Sequence, residues 1–401
     1  MRPAGVEAAE RQMKGAPGIY EEFEEFRGRR FLFAAGHFDY FSGAEKQAVY
    51  FAGELVRHLQ ADVKFIGWGG NGRFADEVRR IGAVPVVYPL HPCGTGWSHY
   101  LNLLRLARFI RRELKPDYLL PYVWMHCRVI GAIWEWTGAH FCWWNQRDEG
   151  RGISGNRLER RLMKTLPAVV SNSFEGRDFL VRCFKLAENR VQVINNGICL
   201  PTKQRCGTLR KKLGISNHAV LLLMLANLTR FKDHATLLMA FARARKLCPG
   251  ADLQLVLAGS HGDATLEIKA LAWDLELGGR LHLPGSVSET DELLADSDLV
   301  VHSSTTEGCP NGALEAMAHG LCVLGTNISG MRQALGADVA SRCLAKAGDS
   351  EELAGLIANF VHNPDERAVH GKLNLERIKS CFSIQRMTSE SLAAIRDGSA
   401  T

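Results

Sequence analysis

The sequence lacks the marks of several protein classes. It has no Cys-x-x-Cys pair, and its eleven cysteines are scattered and odd in number. That argues against a disulfide framework or a structural zinc site and for a reducing, cytosolic setting. There is no Gly-x-x-x-x-Gly-Lys-Ser/Thr loop, which argues against a P-loop ATPase. No apolar run is long enough to span a membrane: the most apolar region, 118–144, is broken by His126, Arg128 and Glu135. No secretory leader is expected, because the first 28 residues are rich in Glu rather than apolar. With no apolar period, 1–28 reads as a flexible extension. His and carboxylate residues are not grouped at metal-ligand spacing, so no metal is expected. No nucleic-acid partner is expected either.

What is present fits a sizeable globular chain. At 401 residues, two domains are the natural expectation. The net charge of +6 is unevenly placed. Residues 1–197 hold 28 Lys and Arg against 21 Asp and Glu, a net of +7, and the remainder holds 21 against 22, a net of −1. A basic half suits approach to an anionic lipid surface; it is equally compatible with a domain of incidental positive charge.

Short apolar runs at 30–35, 63–66, 84–88, 118–123, 140–144, 168–171 and 191–194 alternate with helical periods. In the first helix, Ala48, Ala52, Leu55, Val56 and Leu59 share one face. The alternation predicts a parallel sheet with helices on both sides. After the turn-like Asn195-Asn196-Gly197, the pattern restarts at 219–226 and continues through 253–258, 280–283, 299–302 and 322–325. The expected fold is therefore α/β, with two doubly wound domains at 29–197 and 198–376. A cleft between such domains is the expected ligand site. Helices at 364–377 and 384–396 close the chain.

The most informative stretch is Glu307-Gly308-Cys309-Pro310-Asn311-Gly312-Ala313-Leu314-Glu315, set between the apolar run ending at His302 and an Ala/Met-rich helical segment ending near Gly320. This spells strand, tight loop and helix. Pro310 suits a first helical turn and Gly320 a helix end. Free amides around Cys309, Asn311 and Gly312 would form an anion site at a helix N-terminus. Glu307 would sit on the loop above it and Glu315 nearly two turns into the helix, where it could meet a sugar ring. A pyrophosphate flanked by two sugars fits that layout.

These residues, Glu307-Gly308-x-Pro310 with Glu315, resemble the two-glutamate signature of the retaining glycosyltransferases of family 4, which have the GT-B fold. The segment Ala226-Asn-Leu-Thr-Arg-Phe-Lys-Asp-His234 is similar to the family stretch carrying a lysine after the first strand of the nucleotide domain. Lys232 matches that lysine. The family arginine lies five residues before it, where this chain has Asn227; Arg230 stands nearby. Cations at the carboxyl edge of a sheet suit an anionic ligand, and fixed cations stabilise charge developing on a leaving diphosphate. Ser42-Gly43-Ala44-Glu45 resembles the family's Gly-Gly-x-Glu loop, although an ordinary helix cap explains it equally well. The resemblance implies that the loop at Ser286 and Val287 holds the nucleotide base by backbone contacts. It also implies that the last helix, 377–401, crosses back to the first domain.

The acceptor side is less legible. Asn145, Arg147 and Asp148 follow a strand of the first domain, with Asn145 where many family members carry a histidine. His126 stands at another strand end, where a lone histidine is more often a core or capping residue. The basic segment 158–164 is either a solvated helix face or a contact for a lipid-linked acceptor. The resemblance implies a cytosolic, metal-independent transferase. It would move a sugar from a nucleoside diphosphate donor to a saccharide or lipid-linked acceptor, with retention, in polysaccharide or glycolipid synthesis. Glu307 would hold the donor sugar and Glu315 the ribose. A GT-B sugar-nucleotide epimerase and an inactive nucleotide-sugar-binding scaffold are the alternatives.

Overall fold

The computed structural model describes residues 17–89, 96–201, 207–287 and 290–399. These residues divide into two units, one of 17–197 with 384–399 and one of 198–383 less the gaps.

The first unit is built on a seven-stranded parallel sheet in the order β3-β2-β1-β4-β5-β6-β7. Its strands are β1 (Arg30–Ala34), β2 (Asp62–Gly67), β3 (Val84–Val87), β4 (Tyr118–Pro121), β5 (Phe141–Gln146), β6 (Ala168–Ser171) and β7 (Val191–Val193). Side chains alternate between faces along a strand, and both faces are covered. Phe33, Phe65 and Trp143 enter one apolar cluster; their neighbours Leu32, Ile66 and Trp144 enter another. Every residue of β5 is accordingly buried, which is why these strands read as unbroken apolar runs.

Residues 17–28 correct the expectation of a flexible extension. Two 3-10 turns, Pro17–Ile19 and Glu21–Phe26, bury Tyr20, Phe23 and Phe26 in the first cluster. The Tyr20 hydroxyl donates to buried Glu54, and burial pushes that phenol far above its ordinary range. The rest of the expected extension lies outside the described residues. The returning helix is Ile384–Ser399, so it starts later than 377; Met387, Leu392 and Ile395 pack into the same cluster. Gly197 is required there, since a Cβ on it would lie 2.9 Å from the Ile384 Cα.

The second unit carries a six-stranded parallel sheet, β10-β9-β8-β11-β12-β13. Its strands are β8 (Val220–Leu225), β9 (Leu253–Ala258), β10 (Leu281–Gly285), β11 (Leu299–His302), β12 (Cys322–Thr326) and β13 (Leu344–Ala345). The order reverses between β8 and β11, and ligands of open α/β sheets bind at the carboxyl ends of strands at such a reversal. Both segments singled out by sequence, after 226 and after 302, leave the sheet at that point.

Candidate functional site

The loop after β8 tightens into a 3-10 turn at Arg230–Lys232 before the helix His234–Leu247. The loop after β11 runs from Ser303 to Pro310 and enters the helix Asn311–Ala318. Several bonds lock the two loops together. Ser303 Oγ donates to the carbonyls of Lys232 (3.2 Å) and Asp233 (2.9 Å), and the Thr305 amide donates to the Phe231 carbonyl at 2.9 Å. Two glycines set the depth of the arrangement. A Cβ on Gly312 would lie 2.3 Å from the Leu225 carbonyl, and one on Gly330 would lie 2.5 Å from that of Glu307.

Locked in this way, the loops bring Lys232 and Glu307 into an ion pair. Glu307 Oε1 also accepts from His302 Nε2 at 3.0 Å and Ser304 Oγ at 2.9 Å. Glu307 is only 7% exposed, so it lies within the loop rather than above it as its place in the sequence suggested. Burial opposes its charge, but the Lys232 ammonium and the His302 bond outweigh burial and hold the carboxyl far below the usual range. Burial keeps His302 below its ordinary pKa. Its Nδ1 is buried with no partner among the described residues, so the neutral ring places its proton on Nε2, facing the carboxylate. His234 is pushed down to about 4 by burial, with His302 and Lys232 adding to the effect.

Pro310 stands at the N-cap and accepts from the Leu314 amide, so the helix begins at Asn311. Gly320, with φ of +69°, follows its end. Glu315 is half-buried in the second turn. Gly308 is buried and Cys309 half-buried beside the helix start.

The other expected residues lie differently. Arg230 is exposed; its guanidinium bonds Glu267 at 2.6 Å and its amide Asp263 at 3.0 Å. Asn227 accepts from the Ser260 amide at 3.1 Å, tying the loops after β8 and β9. Ser286 is exposed and Val287 half-buried just past β10. In the first unit, Ser42 and Glu45 form a capping box, with Gly43 opening the helix Gly43–Leu59. The cap alternative therefore accounts for that motif's geometry.

His126 is buried inside the helix Trp124–Thr137, stacked on Trp68 at 5.6 Å, and burial lowers its pKa to about 4. It is a core histidine. Asn145 is buried, 3.5 Å from Arg147 Nη1; Arg147 Nη2 donates to Asn196 at 2.6 Å, and its guanidinium lies over the Tyr122 ring. Asp148 accepts from Gln146 Nε2 (2.5 Å) and the Gly150 amide (2.9 Å). Tyr122, Asn145 and Arg147 line a cavity of about 10 Å³, close to the size of one water. The basic segment forms the helix Arg157–Thr165, whose Leu162 and Met163 are buried. Leu162 and Met163 are spent on packing within their own unit, while Leu158 stays exposed and, with the charged face, remains for any lipid contact.

Among the described residues, no group of three His, Cys, Asp or Glu could hold a metal ion. An Asp-x-Asp triplet that sequence reasoning overlooked, Asp296-Ser297-Asp298, is structural. Asp296 accepts from the amides of Gly207 and Leu209, and Asp298 pairs with buried Arg210. His302 was also missed, because it reads as the last residue of an apolar strand.

Sequence comparison agrees with this division of the chain. Residues 207–374 match the profile of the glycosyl transferases group 1, and residues 41–200 that of glycosyltransferase family 4. An uncharacterized glycosyltransferase of Haemophilus influenzae is 24% identical over 80% of this chain and 88% of its own length. A D-inositol 3-phosphate glycosyltransferase of Streptosporangium roseum is 25% identical over 51% of this chain. An N-acetyl-alpha-D-glucosaminyl L-malate synthase of Bacillus anthracis is 27% identical over 45%. The chain spans about half the length of these last two. In fold, the chain resembles Anabaena HepE, solved with UDP and glucose (TM-score 0.80, 17% identity, 92% of this chain and 99% of that one). It also resembles WaaG, a glycosyltransferase involved in lipopolysaccharide biosynthesis (TM-score 0.66, 14% identity, 90% and 99%). With both profiles matched in succession along two parallel-sheet units, the chain belongs to the glycosyltransferases of family 4 and has their GT-B fold.

Proposed function

We propose that the protein transfers a sugar from a nucleoside diphosphate sugar to a saccharide or lipid-linked acceptor, with retention and without a metal ion. The observation that carries this reading is the Lys232–Glu307 pair at the reversal point of the second sheet, beside the helix that bears Glu315. Lys232 supplies a cation for the departing diphosphate, and the first turn of the helix supplies amides. A carboxylate accepts from two adjacent hydroxyls, so Glu307 suits the donor sugar and Glu315 the ribose. The transition state is oxocarbenium-like, as in glycoside chemistry generally. The UDP and UDP-glucose complexes of HepE support a uridine nucleotide as the first donor to try. The reading extends to polysaccharide or glycolipid synthesis at the cytosolic face, with the basic N-terminal half near anionic lipid.

One observation favours a second reading, an inactive nucleotide-sugar-binding protein: Arg230 bonds Glu267 rather than the Lys232–Glu307 pair. Assaying the release of free nucleoside diphosphate separates the two. Release that depends on acceptor, and survives excess EDTA, is expected for the transferase. Binding without release would establish the scaffold. Loss on chelation, restored by magnesium or manganese, would overturn metal independence.

A further inference from the structure

We propose that His302 is a positioning residue: it holds Glu307 as an ionised acceptor while Lys232 serves the donor's diphosphate. The inference rests on the transferase reading of the site. Lys232 Nζ, His302 Nε2 and Ser304 Oγ all converge on the same oxygen, Glu307 Oε1. They differ in kind. Lys232 is a point charge on a flexible stem, half-buried in the loop after β8. His302 is fixed at the end of β11, its side chain 2% exposed, and Ser304 follows it.

A diphosphate carries more negative charge than a carboxylate and competes for Lys232. As the lysine turns to it, Glu307 loses a full positive charge where burial already opposes ionisation. His302 and Ser304 then remain as its donors. A protonated Glu307 would present a hydroxyl of its own and give up acceptor capacity to the sugar. His302 suits this task because it does not titrate along with its partner. Protonating Nδ1 would bury an N–H with no acceptor. Burial and the Lys232 ammonium, from the loop after β8, disfavour charge on His302 and outweigh the pull of Glu307, while His234, from the helix His234–Leu247, is itself held neutral by burial.

The test uses the full chain, with UDP as the probe and the pH profile of acceptor-dependent release as the readout. In His302→Phe, the acid limb of the kcat profile moves up by about one pH unit, so kcat at a given pH on that limb falls about tenfold. UDP affinity stays within about twofold, because Lys232 and the helix amides remain. His302→Gln, whose amide reaches the same place, recovers most of the loss. A His302→Phe profile that overlays the parent, or a His302→Gln variant as impaired as His302→Phe, overturns the proposal. Imidazole ¹⁵N NMR of the parent provides a readout that needs neither turnover nor a folded variant at position 302→Phe. It should show His302 neutral with its proton on Nε2 from about pH 7 to 8, assigned by the signal lost in His302→Gln. A proton on Nδ1, or an imidazolium in that range, overturns the proposal. A parent that releases no nucleotide with any acceptor sinks the transferase reading instead, and the NMR result still decides the His302–Glu307 bond.

Discussion

Glu307 and Glu315 are eight residues apart and chemically alike, yet the fold treats them differently. Glu307 is buried among three donors, and Glu315 is half-buried on a helix turn. Glu315→Gln should weaken both UDP and the UDP-sugar by about tenfold, the loss of one charged hydrogen bond. Glu307→Gln should leave UDP binding intact and cut transfer; isothermal titration of both ligands into both variants checks this. Lys232 bears on stability as well as turnover. Lys232→Ala strands a buried carboxylate, and breaking such a pair costs about 3–5 kcal/mol. The double variant Lys232→Ala/Glu307→Gln should regain most of that stability and none of the turnover, as thermal melts and kinetics on the cycle would show. The buried histidines add a pH dependence. His126 and His234 titrate near 4 in the fold and near about 6.5 when unfolded. The unfolded chain therefore binds more protons between those values, and stability falls as pH drops through that window. The slope is at most about 1.4 kcal/mol per pH unit for each group. His126→Phe should flatten it in the N-terminal unit, as calorimetry at stepped pH would show.

At the scale of elements, the site depends on how closely backbones approach. The helix Ser329–Leu335 carries Gly330 against the loop, where a Cβ would lie 2.5 Å from the Glu307 carbonyl and 2.8 Å from that of Gly308. Gly330→Ala should cost about 1–3 kcal/mol of stability and weaken UDP binding by displacing that loop. An unchanged melting point together with unchanged UDP affinity would show that the loop is free to shift. The twelve expected strands all appear, because strands buried on both faces spell apolar runs that need no context. The strand that was missed, β13, is two residues long and has no period to read. Phe23 and Phe26 were passed over because their neighbours are glutamates; what buries them is a sheet that folds later in the sequence. The same limit applies in the site. Arg230 and Lys232 share one 3-10 turn, and only its locking to the loop after β11 decides that the lysine meets Glu307 while the arginine meets Glu267. His302 was hidden because an imidazole at a strand end looks like core until its ring is seen to face a carboxylate. Asp296 and Asp298 show the converse: they form a metal-like triplet whose carboxylates are used by amides and by Arg210.

At the scale of the molecule, the uneven charge is the feature still open to a direct test. No helix of the described residues is long and apolar enough to cross a membrane, so any lipid contact through helices would be peripheral. The helix Trp97–Phe109 exposes Trp97, Tyr100 and Leu101, and Trp136 lies edge-on to Tyr100 at 6.4 Å. Arg105, Arg108, Arg111, Arg112 and Lys115 follow and are exposed. Tryptophan and tyrosine favour the headgroup region, and each nearby Lys or Arg contributes about 1 kcal/mol at an anionic surface. If the basic half serves membrane approach, the protein should co-sediment with anionic vesicles and be released as salt rises, because exposed charges are screened within about 8 Å at physiological ionic strength. Trp97→Ala should weaken the salt-resistant part of that binding, and Arg111→Ala/Arg112→Ala the salt-sensitive part. The two contributions differ in origin, one being apolar burial and the other long-range attraction, so a salt titration resolves them. Equal recovery on neutral and anionic vesicles would assign the charge to solvation of an ordinary domain surface and leave the transferase to meet its acceptor in solution.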